Sequence, residues 1–159
     1  MFFRGLPDEL WGLIYEFDPT YREMFKHCLV EIKNKKRIYY KNGTRLFLEY
    51  QMKHGKKHGS YREYHFSGNK KIIAYYQEDL LQGLFLEYYP SGKLYEISFF
   101  KNEKLCGPLL RFYENGRLER VAFYNKYSNL EGYYTEYFPC GQILKSCVYL
   151  PGPAITNPS

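Results

Sequence analysis

The sequence predicts a mainly β protein, an elongated and twisted antiparallel sheet of about five tandem β-hairpin repeats. Two sets of glycines support this prediction. The first set recurs every 24 or 25 residues inside turn-forming tripeptides, at Gly43, Gly68, Gly92, Gly116 and Gly141. The second set precedes a turn glycine by nine residues in each case, at Gly59, Gly83, Gly107 and Gly132. A period of this length is typical of a repeat array whose units bury apolar surface against their neighbours.

Each repeat has the pattern of one β-hairpin, and residues 84–107 show it most clearly. Apolar and polar residues alternate on both sides of Ser91-Gly92, as they do in strands with one buried face. Because an isolated hairpin is only marginally stable in water, we expect the repeats to join edge to edge. The length of the repeat varies in the connection between hairpins, such as residues 125–131, which predicts a tolerant loop there.

Equivalent positions of the repeats predict which side chains share a face of the sheet. Five and seven residues after the turn glycines stand the pairs Leu48/Tyr50, Ile73/Tyr75, Ile97/Phe99, Val121/Phe123 and Ser146/Val148. Positions two apart along a strand point to one face, so we expect a continuous apolar stripe. The position between them is small from the second repeat onward, at Ala74, Ser98, Ala122 and Cys147. A charged column is expected on the other face, at Glu63, Glu87, Arg111 and Glu136.

Residues 6–33 have a helical periodicity instead. Leu6, Leu10 and Ile14 recur at four-residue intervals, and Thr20 with Glu23 has the form of a capping box after an interruption at Asp18-Pro19. This pattern predicts one or two short N-terminal helices that cap one end of the sheet. The predicted domains are a helical cap at 1–33, the repeat array at 34–152 and a C-terminal tail at 153–159.

The net charge of +6 is concentrated in one block of the chain. Residues 35–58 contain eight Lys/Arg and a single acid, Glu49, whereas eleven bases nearly balance ten acids from residue 59 onward. Aromatic residues make up 20% of the chain, with 19 tyrosines, which favours half-buried β structure.

Several features predict an intracellular protein. Acids occupy the N-terminal segment where a signal peptide has its apolar core, and no apolar run approaches the roughly 18 residues of a membrane-spanning helix. The four cysteines have no C-x-x-C spacing, which indicates reduced thiols. We therefore expect the chain to be neither secreted nor transmembrane.

The hairpin unit E-Y-Y-x-S/N-G-K/R-L, with its aromatic second strand and glycine-ended turn, resembles the MORN repeat over residues 35–152. It is most similar to the variant found in antitoxin-like bacterial proteins and in giant viruses of the marseillevirus type. Tyrosine stands where the usual pattern has tryptophan. Residues 6–10 (LPDEL), followed by Ile14, resemble the start of an F-box. The resemblance implies a β-repeat fold in a viral protein, located in the host cytoplasm or the virion.

We expect no enzymatic activity, no cofactor and no metal. The sequence lacks Gly-x-Ser-x-Gly, a phosphate-binding loop, a paired-carboxylate motif and His-Glu-x-x-His. The recurring glutamates follow the repeat and are interpreted as a solvated strand face. His54 and His58 have the spacing of half a zinc site, but a structural zinc site needs four ligands.

Two sets of residues are candidates for binding. The basic set, a candidate site for lipid phosphates, comprises Lys35, Lys36, Arg37, Lys53, Lys56 and Lys57. The aromatic set lies three residues before the turn glycines and comprises Tyr40, Tyr89, Tyr113 and Phe138, with His65 in the second repeat. On the face opposite the apolar stripe it forms either a partner-binding groove or a second buried face of a curled sheet.

The leading prediction for function is a non-enzymatic scaffold that binds one or more proteins, as a structural or assembly component of a virus. The alternative is a peripheral adaptor that binds anionic, phosphoinositide-type membranes through the basic first repeat. A third interpretation, an F-box-like ubiquitin-ligase adaptor, depends on residues 6–33. Nucleic acid is not expected as a partner, because the later repeats have balanced charge. The oligomeric state stays open.

Overall fold

The computed structural model describes residues 35–41 and 43–150, and these residues form one open antiparallel sheet of twelve strands. The prediction of a mainly β, antiparallel repeat sheet is thereby confirmed. The predicted helices at 6–33 and the tail at 153–159 lie outside the described residues. No membrane-spanning helix is found in the part of the chain that the structure describes.

The sheet has twelve strands, and all except β5 and β8 belong to hairpins whose two strands are joined by a turn. They are β1 (Lys35–Tyr39), β2 (Leu46–Lys53), β3 (Lys56–Tyr64), β4 (Lys70–Gln77), β5 (Leu80–Leu81), β6 (Gly83–Tyr88), β7 (Leu94–Lys101), β8 (Lys104–Leu105), β9 (Gly107–Phe112), β10 (Leu118–Tyr124), β11 (Leu130–Tyr137) and β12 (Ile143–Tyr149). The spatial order is β1-β2-β3-β4-β6-β7-β9-β10-β11-β12, so neighbours in space are neighbours in sequence. The two-residue strands β5 and β8 pair with the C-terminal ends of β4 and β7.

The turns predicted at the first glycine set are confirmed. In the second of them the Gly68 amide donates to the His65 carbonyl at 2.8 Å, and the His65 amide donates to the Asn69 carbonyl at 2.8 Å. The turns at Gly92, Gly116 and Gly141 have the same two bonds. Gly68 has a φ of 92°, in a region that side chains with a Cβ rarely adopt, which explains the glycine.

The sequence predicted that the glycines of the second set end turns. They lie instead at irregularities of the strand that follows each turn. The connections themselves are short, and at Glu78-Asp79 both residues have positive φ. The Gln82 amide donates to the Tyr75 carbonyl at 2.9 Å where β5 gives way to β6 at Gly83. The connection between β10 and β11 is the longer one, as predicted, and the Asn125 amide closes it on the Asn129 carbonyl at 2.9 Å.

One row of directly paired residues crosses ten strands, and we call it the central row. Its members are Arg37, Glu49, Arg62, Ile73, Leu86, Ile97, Leu110, Val121, Thr135 and Ser146. Leu86, Ile97 and Leu110 are at most 3% exposed. Together with Phe99 and Phe112 they form the buried core of the sheet, so the core lies in the middle repeats.

The predicted apolar stripe holds from the second repeat onward but is wrong in the first. Leu48 and Tyr50 were expected beside Ile73, yet Glu49 occupies the central row and pairs with Arg62. The cause is the first turn, where the Tyr40 amide donates to Arg45, one residue farther along than in the other turns. One extra residue moves every following side chain to the opposite face.

The face opposite the central row confirms the predicted small column. Ala74, Ser98 and Ala122 are buried to 5% exposure or less. Each lies directly opposite a large residue of the neighbouring strand, in the pairs Tyr61–Ala74, Phe85–Ser98 and Leu109–Ala122. Alternation of large and small side chains lets adjacent repeats pack closely on this face.

Candidate interaction surfaces

The aromatic set links consecutive repeats. The Tyr40 hydroxyl donates to the Tyr64 carbonyl at 2.8 Å, Tyr89 to Phe112 at 2.9 Å and Tyr113 to Tyr137 at 2.6 Å. His65 Nε2 makes the equivalent bond to the Tyr88 carbonyl at 2.9 Å. We call these four side chains the turn ladder. Each acceptor lies 23 or 24 residues farther along, one repeat ahead.

These bonds indicate a structural role for the turn ladder. Burial raises the pKa of the Tyr89 phenol, so its hydroxyl keeps the proton that it donates. Phe138, the last member of the aromatic set, has no hydroxyl and is 42% exposed. The structure therefore engages Tyr40, Tyr89 and Tyr113 inside the sheet and leaves Phe138 at the surface.

The connections at the other ends of the strands, away from the turn glycines, are linked in a similar way. The Lys57 amide donates to Asp79 Oδ1 at 2.7 Å, and the Asp79 amide donates back to the Lys57 carbonyl at 2.9 Å. Farther along, the Ser128 hydroxyl donates to the Leu105 carbonyl at 2.8 Å. Hydrogen bonds thus connect neighbouring repeats at both ends of their strands, in addition to the strand pairing between them.

Two of the six residues of the basic set, with two residues of β3, surround a buried carboxylate, Glu49, which is 5% exposed. Lys35 Nζ lies 2.8 Å from Oε2, and Arg37 Nε lies 3.5 Å from the same oxygen. On β3, an Arg62 guanidinium nitrogen donates to Oε1 at 2.8 Å. The Tyr64 hydroxyl also donates to Oε1, at 3.1 Å. These five residues are the Glu49 network.

The charges of this network determine the protonation state of Glu49. Burial acts to raise the pKa of the carboxyl, but hydrogen bonds from Lys35 and Arg62, the Lys35 charge and the Tyr64 hydroxyl outweigh it and lower the pKa to about 2. Glu49 is therefore ionised at neutral pH and compensates charge that was predicted to attract external phosphates. Sequence reasoning missed this role, although Glu49 is the single acid of the basic block.

Lys57 lies in a cage of three tyrosine rings. Its Nζ is 5.0 Å from the ring centre of Tyr76, 5.3 Å from Tyr61 and 6.0 Å from Tyr50, distances typical of cation–π contacts. The equivalent residues of the later repeats are Leu81, Leu105 and Leu130. The lysine thus replaces a recurring leucine, and tyrosines surround its charge.

The remaining members of the basic set do not converge on one point. Lys56 Nζ lies 3.4 Å from Glu78, in an exposed ion pair. Lys36 lies opposite Tyr50 and Lys53 opposite Lys56. Lys36 and Lys53 have no ion pair with any residue that the structure describes. Lys35 and Arg37 therefore converge on Glu49, but the six residues of the basic set do not form one phosphate-binding site.

The predicted charged column lies on the face opposite the central row, as expected. Arg111 donates through two nitrogens to Glu96 Oε2, at 2.8 and 3.2 Å, and Arg120 does the same to Glu136 Oε1 at 2.7 and 3.1 Å. Glu87 lies directly opposite Glu96. Burial and, after it, the Glu96 charge raise the pKa of Glu87.

The described residues offer few elements of a chemical site. No group of three or more His, Cys, Asp or Glu that could hold a metal ion occurs among them. A shallow depression of about 300 Å³ lies where β10 meets β11 and is lined by Phe123, Tyr124, Asn125, Glu131, Gly132 and Tyr133. The Asn125 side-chain nitrogen Nδ2 donates to Glu131 Oε2 at 2.7 Å, so these two polar groups of the depression bind each other.

Comparison with known proteins supports the repeat interpretation for part of the chain. No curated protein matches the sequence. Two crystal structures of S. aureus TarM, one a mutant in complex with Fondaparinux, alpha-GlcNAc-glycerol and UDP, are 14% identical with a TM-score of 0.29. They cover 83% of this chain, which spans 22% of the length of theirs.

The family comparison is more informative. Three consecutive segments, residues 57–78, 81–102 and 105–126, match the family described as MORN repeat variant. They run from β3 into the loop after β10 and include the buried middle of the central row. Residues 57–126 of this chain are therefore similar to three tandem repeats of the MORN variant.

Proposed function

We propose that this protein is a non-enzymatic repeat scaffold that binds a protein partner. The turn ladder carries the proposal, because it joins the repeats into one continuous frame with four side chain to backbone bonds. Repeats of this family are generally protein- or membrane-binding motifs. The polar groups of the turn ladder and the Glu49 network are engaged in internal bonds, which supports a structural rather than a catalytic use of them.

The partner surface that we favour lies at the C-terminal end of the sheet. Since the turn ladder is internal, the aromatic residues left at the surface are better candidates than Tyr40, Tyr89 and Tyr113. Tyr133 is 70% exposed and lines the depression, and Tyr127 in the adjacent loop is 65% exposed. Exposed tyrosines are enriched at interface hot spots, since they bury a large area at low entropic cost.

Crosslinking followed by affinity purification from the native source tests this proposal. We expect the wild-type protein to recover a specific partner and Tyr133→Ser to lose most of it. Tyr39→Ser is the matched control, because Tyr39 is 49% exposed at the opposite end of the sheet. Recovery of no partner, or equal recovery by both variants, contradicts the proposal.

A membrane adaptor remains the second candidate, and the charges of Lys36 and Lys53 favour it. Liposome flotation with Lys53→Glu, Lys56→Glu and Lys57→Glu separates the two functions. Binding that requires anionic lipid and is lost in the triple variant supports the adaptor.

The ubiquitin-ligase interpretation is tested by deleting residues 6–33, which should abolish ligase recruitment while the repeats stay folded. A role in virus assembly predicts that the partner is a virion component.

A further inference from the structure

The last strand of the sheet has an open edge that carries large apolar side chains. β12 pairs with β11 on one side and with no described residue on the other. Five large apolar residues in or next to it are each more than one third exposed, namely Ile143, Leu144, Val148, Tyr149 and Leu150. The unpaired backbone groups of such an edge are a template for another strand.

The first strand of the sheet does not share this property. β1 begins with Lys35, Lys36 and Arg37, and charged residues are a common protection against edge-to-edge pairing. β12 has one charged residue, Lys145, which lies directly opposite Glu136 of β11. β1 also exposes Ile38 and Tyr39, but three of its five residues are cations, whereas β12 has a single cation among its exposed apolar residues.

We propose that two copies of this chain associate through β12, in an antiparallel and two-fold symmetric register centred on Ser146. In that register Ser146 faces Ser146 of the second copy. Leu144 faces Val148, Ile143 faces Tyr149 and Lys145 faces Cys147. Each exposed apolar residue of the strand then has an apolar partner across the new pairing, and no two lysines are directly opposed.

Charge and hydrogen bonding disfavour the head-to-tail alternative, in which β12 pairs with β1 of the next copy. Lys145 would then approach the three cations of β1. The turn ladder could not continue either, because Phe138 stands where the next tyrosine hydroxyl would be required. Closed pairing of two identical edges avoids both problems.

The exposed area is sufficient for a weak, specific dimer. Half-exposed side chains of this size offer on the order of 100 Å² each, so five per copy give about 1,000 Å² for two copies, the lower limit of specific interfaces. This self-association requires no other protein, although Tyr133 of the proposed partner surface lies directly opposite Val148 of the dimer contact.

Sedimentation equilibrium of the purified full chain under reducing conditions, over a micromolar to submillimolar concentration range, tests the proposal. We expect a species of twice the 19.2 kDa chain mass. Leu144→Lys or Val148→Lys should weaken the dimer at least about tenfold, since each places a charge opposite an apolar residue of the second copy. Ile38→Lys, at an exposed position of β1, is the control and should leave the dimer unchanged.

The register has its own test. Ser146→Cys in a Cys140→Ser, Cys147→Ser background should form a disulfide-linked dimer, because directly opposed Cα atoms lie about 4.5–5.5 Å apart. Ser67→Cys, at an exposed turn, should not. A monomer at all concentrations, a dimer that tolerates both lysine variants, or polymers that Ile38→Lys disrupts would each overturn the proposal. Because this test uses the isolated protein, its failure is distinct from failure to find another partner.

Discussion

The two ends of the central row consist of different kinds of residues, and both differ from its middle. In the middle of the sheet the row is aliphatic and buried, as at Ile97. At the N-terminal end it becomes Arg37, Glu49 and Arg62, and the carboxylate is buried among cations. At the C-terminal end it becomes Thr135 and Ser146, whose hydroxyl oxygens lie 3.1 Å apart at an exposed position.

The difference shows how position in a repeat sheet decides what a residue contributes. A middle strand has neighbours on both sides, so an aliphatic side chain there buries its full surface. An end strand has one neighbour, and polar groups can remain hydrated or bind each other. The N-terminal end concentrates charge in a network, whereas the C-terminal end leaves apolar residues exposed around a hydroxyl pair. Five changes test this comparison.

The largest expected effect separates the middle of the row from its C-terminal end. Ile97→Ala should lower the free energy of unfolding by roughly 2–5 kcal/mol, because it opens a cavity at a fully buried position. Ser146→Ala should change it by less than about 0.5 kcal/mol, as expected for an exposed residue. Urea denaturation measures both values. Equal effects of the two changes would contradict the assignment of the core to the middle repeats.

The N-terminal end should depend on its carboxylate. Glu49→Gln should cost about 2–3 kcal/mol of unfolding free energy, since it leaves Lys35 and Arg62 without an anion. The double variant Glu49→Leu, Arg62→Leu extends the aliphatic row and should recover much of that loss. Chemical denaturation of wild type and both variants measures this. A double variant less stable than Glu49→Gln would show that the network cannot be replaced by apolar packing.

Acid should weaken the N-terminal end selectively. The pKa of Glu49 is lowered to about 2 in the folded protein, below its ordinary value of 4.5. Its contribution, up to about 3 kcal/mol, is therefore fully present above pH 4.5 and is lost as the pH falls towards 2. The stability difference between wild type and Glu49→Gln should shrink over this range. A difference independent of pH would argue against an ionised Glu49.

The turn ladder should give a smaller, position-dependent effect. Tyr89→Phe removes one hydrogen bond to the next repeat and should cost about 1 kcal/mol, because the Phe112 carbonyl loses its donor. Phe138→Tyr is the counterpart at the C-terminal end and should give no comparable gain, since no described repeat follows it. Thermal unfolding of both variants provides the measurement.

The smallest effect is expected at the first turn. Deletion of Thr44 shortens this turn to the length of the others while Glu49 keeps its place opposite Arg62. We expect a change of less than about 1 kcal/mol in unfolding free energy, as for other tolerated changes of loop length. A large loss would show that the six-residue turn itself holds the register. Denaturation beside wild type measures the change.

Repeat positions were predictable from the sequence where the repeats are regular. The turn at Gly68, the small column at Ala74 and the aliphatic run through Ile97 followed from the glycine period and from two-residue alternation. The first repeat was not predictable in this way, because counting from Gly43 placed Tyr50 in the stripe. A single additional residue in a turn leaves the sequence pattern almost unchanged but reverses the faces of a strand.

Sequence alone determined the class of fold, the number of hairpins in the described sheet and the segments that match a known repeat family. Tertiary structure decided what the candidate residues do. All of the aromatic set except Phe138 forms the turn ladder, and Lys35 and Arg37 of the basic set join the Glu49 network, because these roles depend on contacts between different strands. Such contacts form only when the sheet assembles, since a linear pattern specifies the face of a side chain but not the atom that it meets.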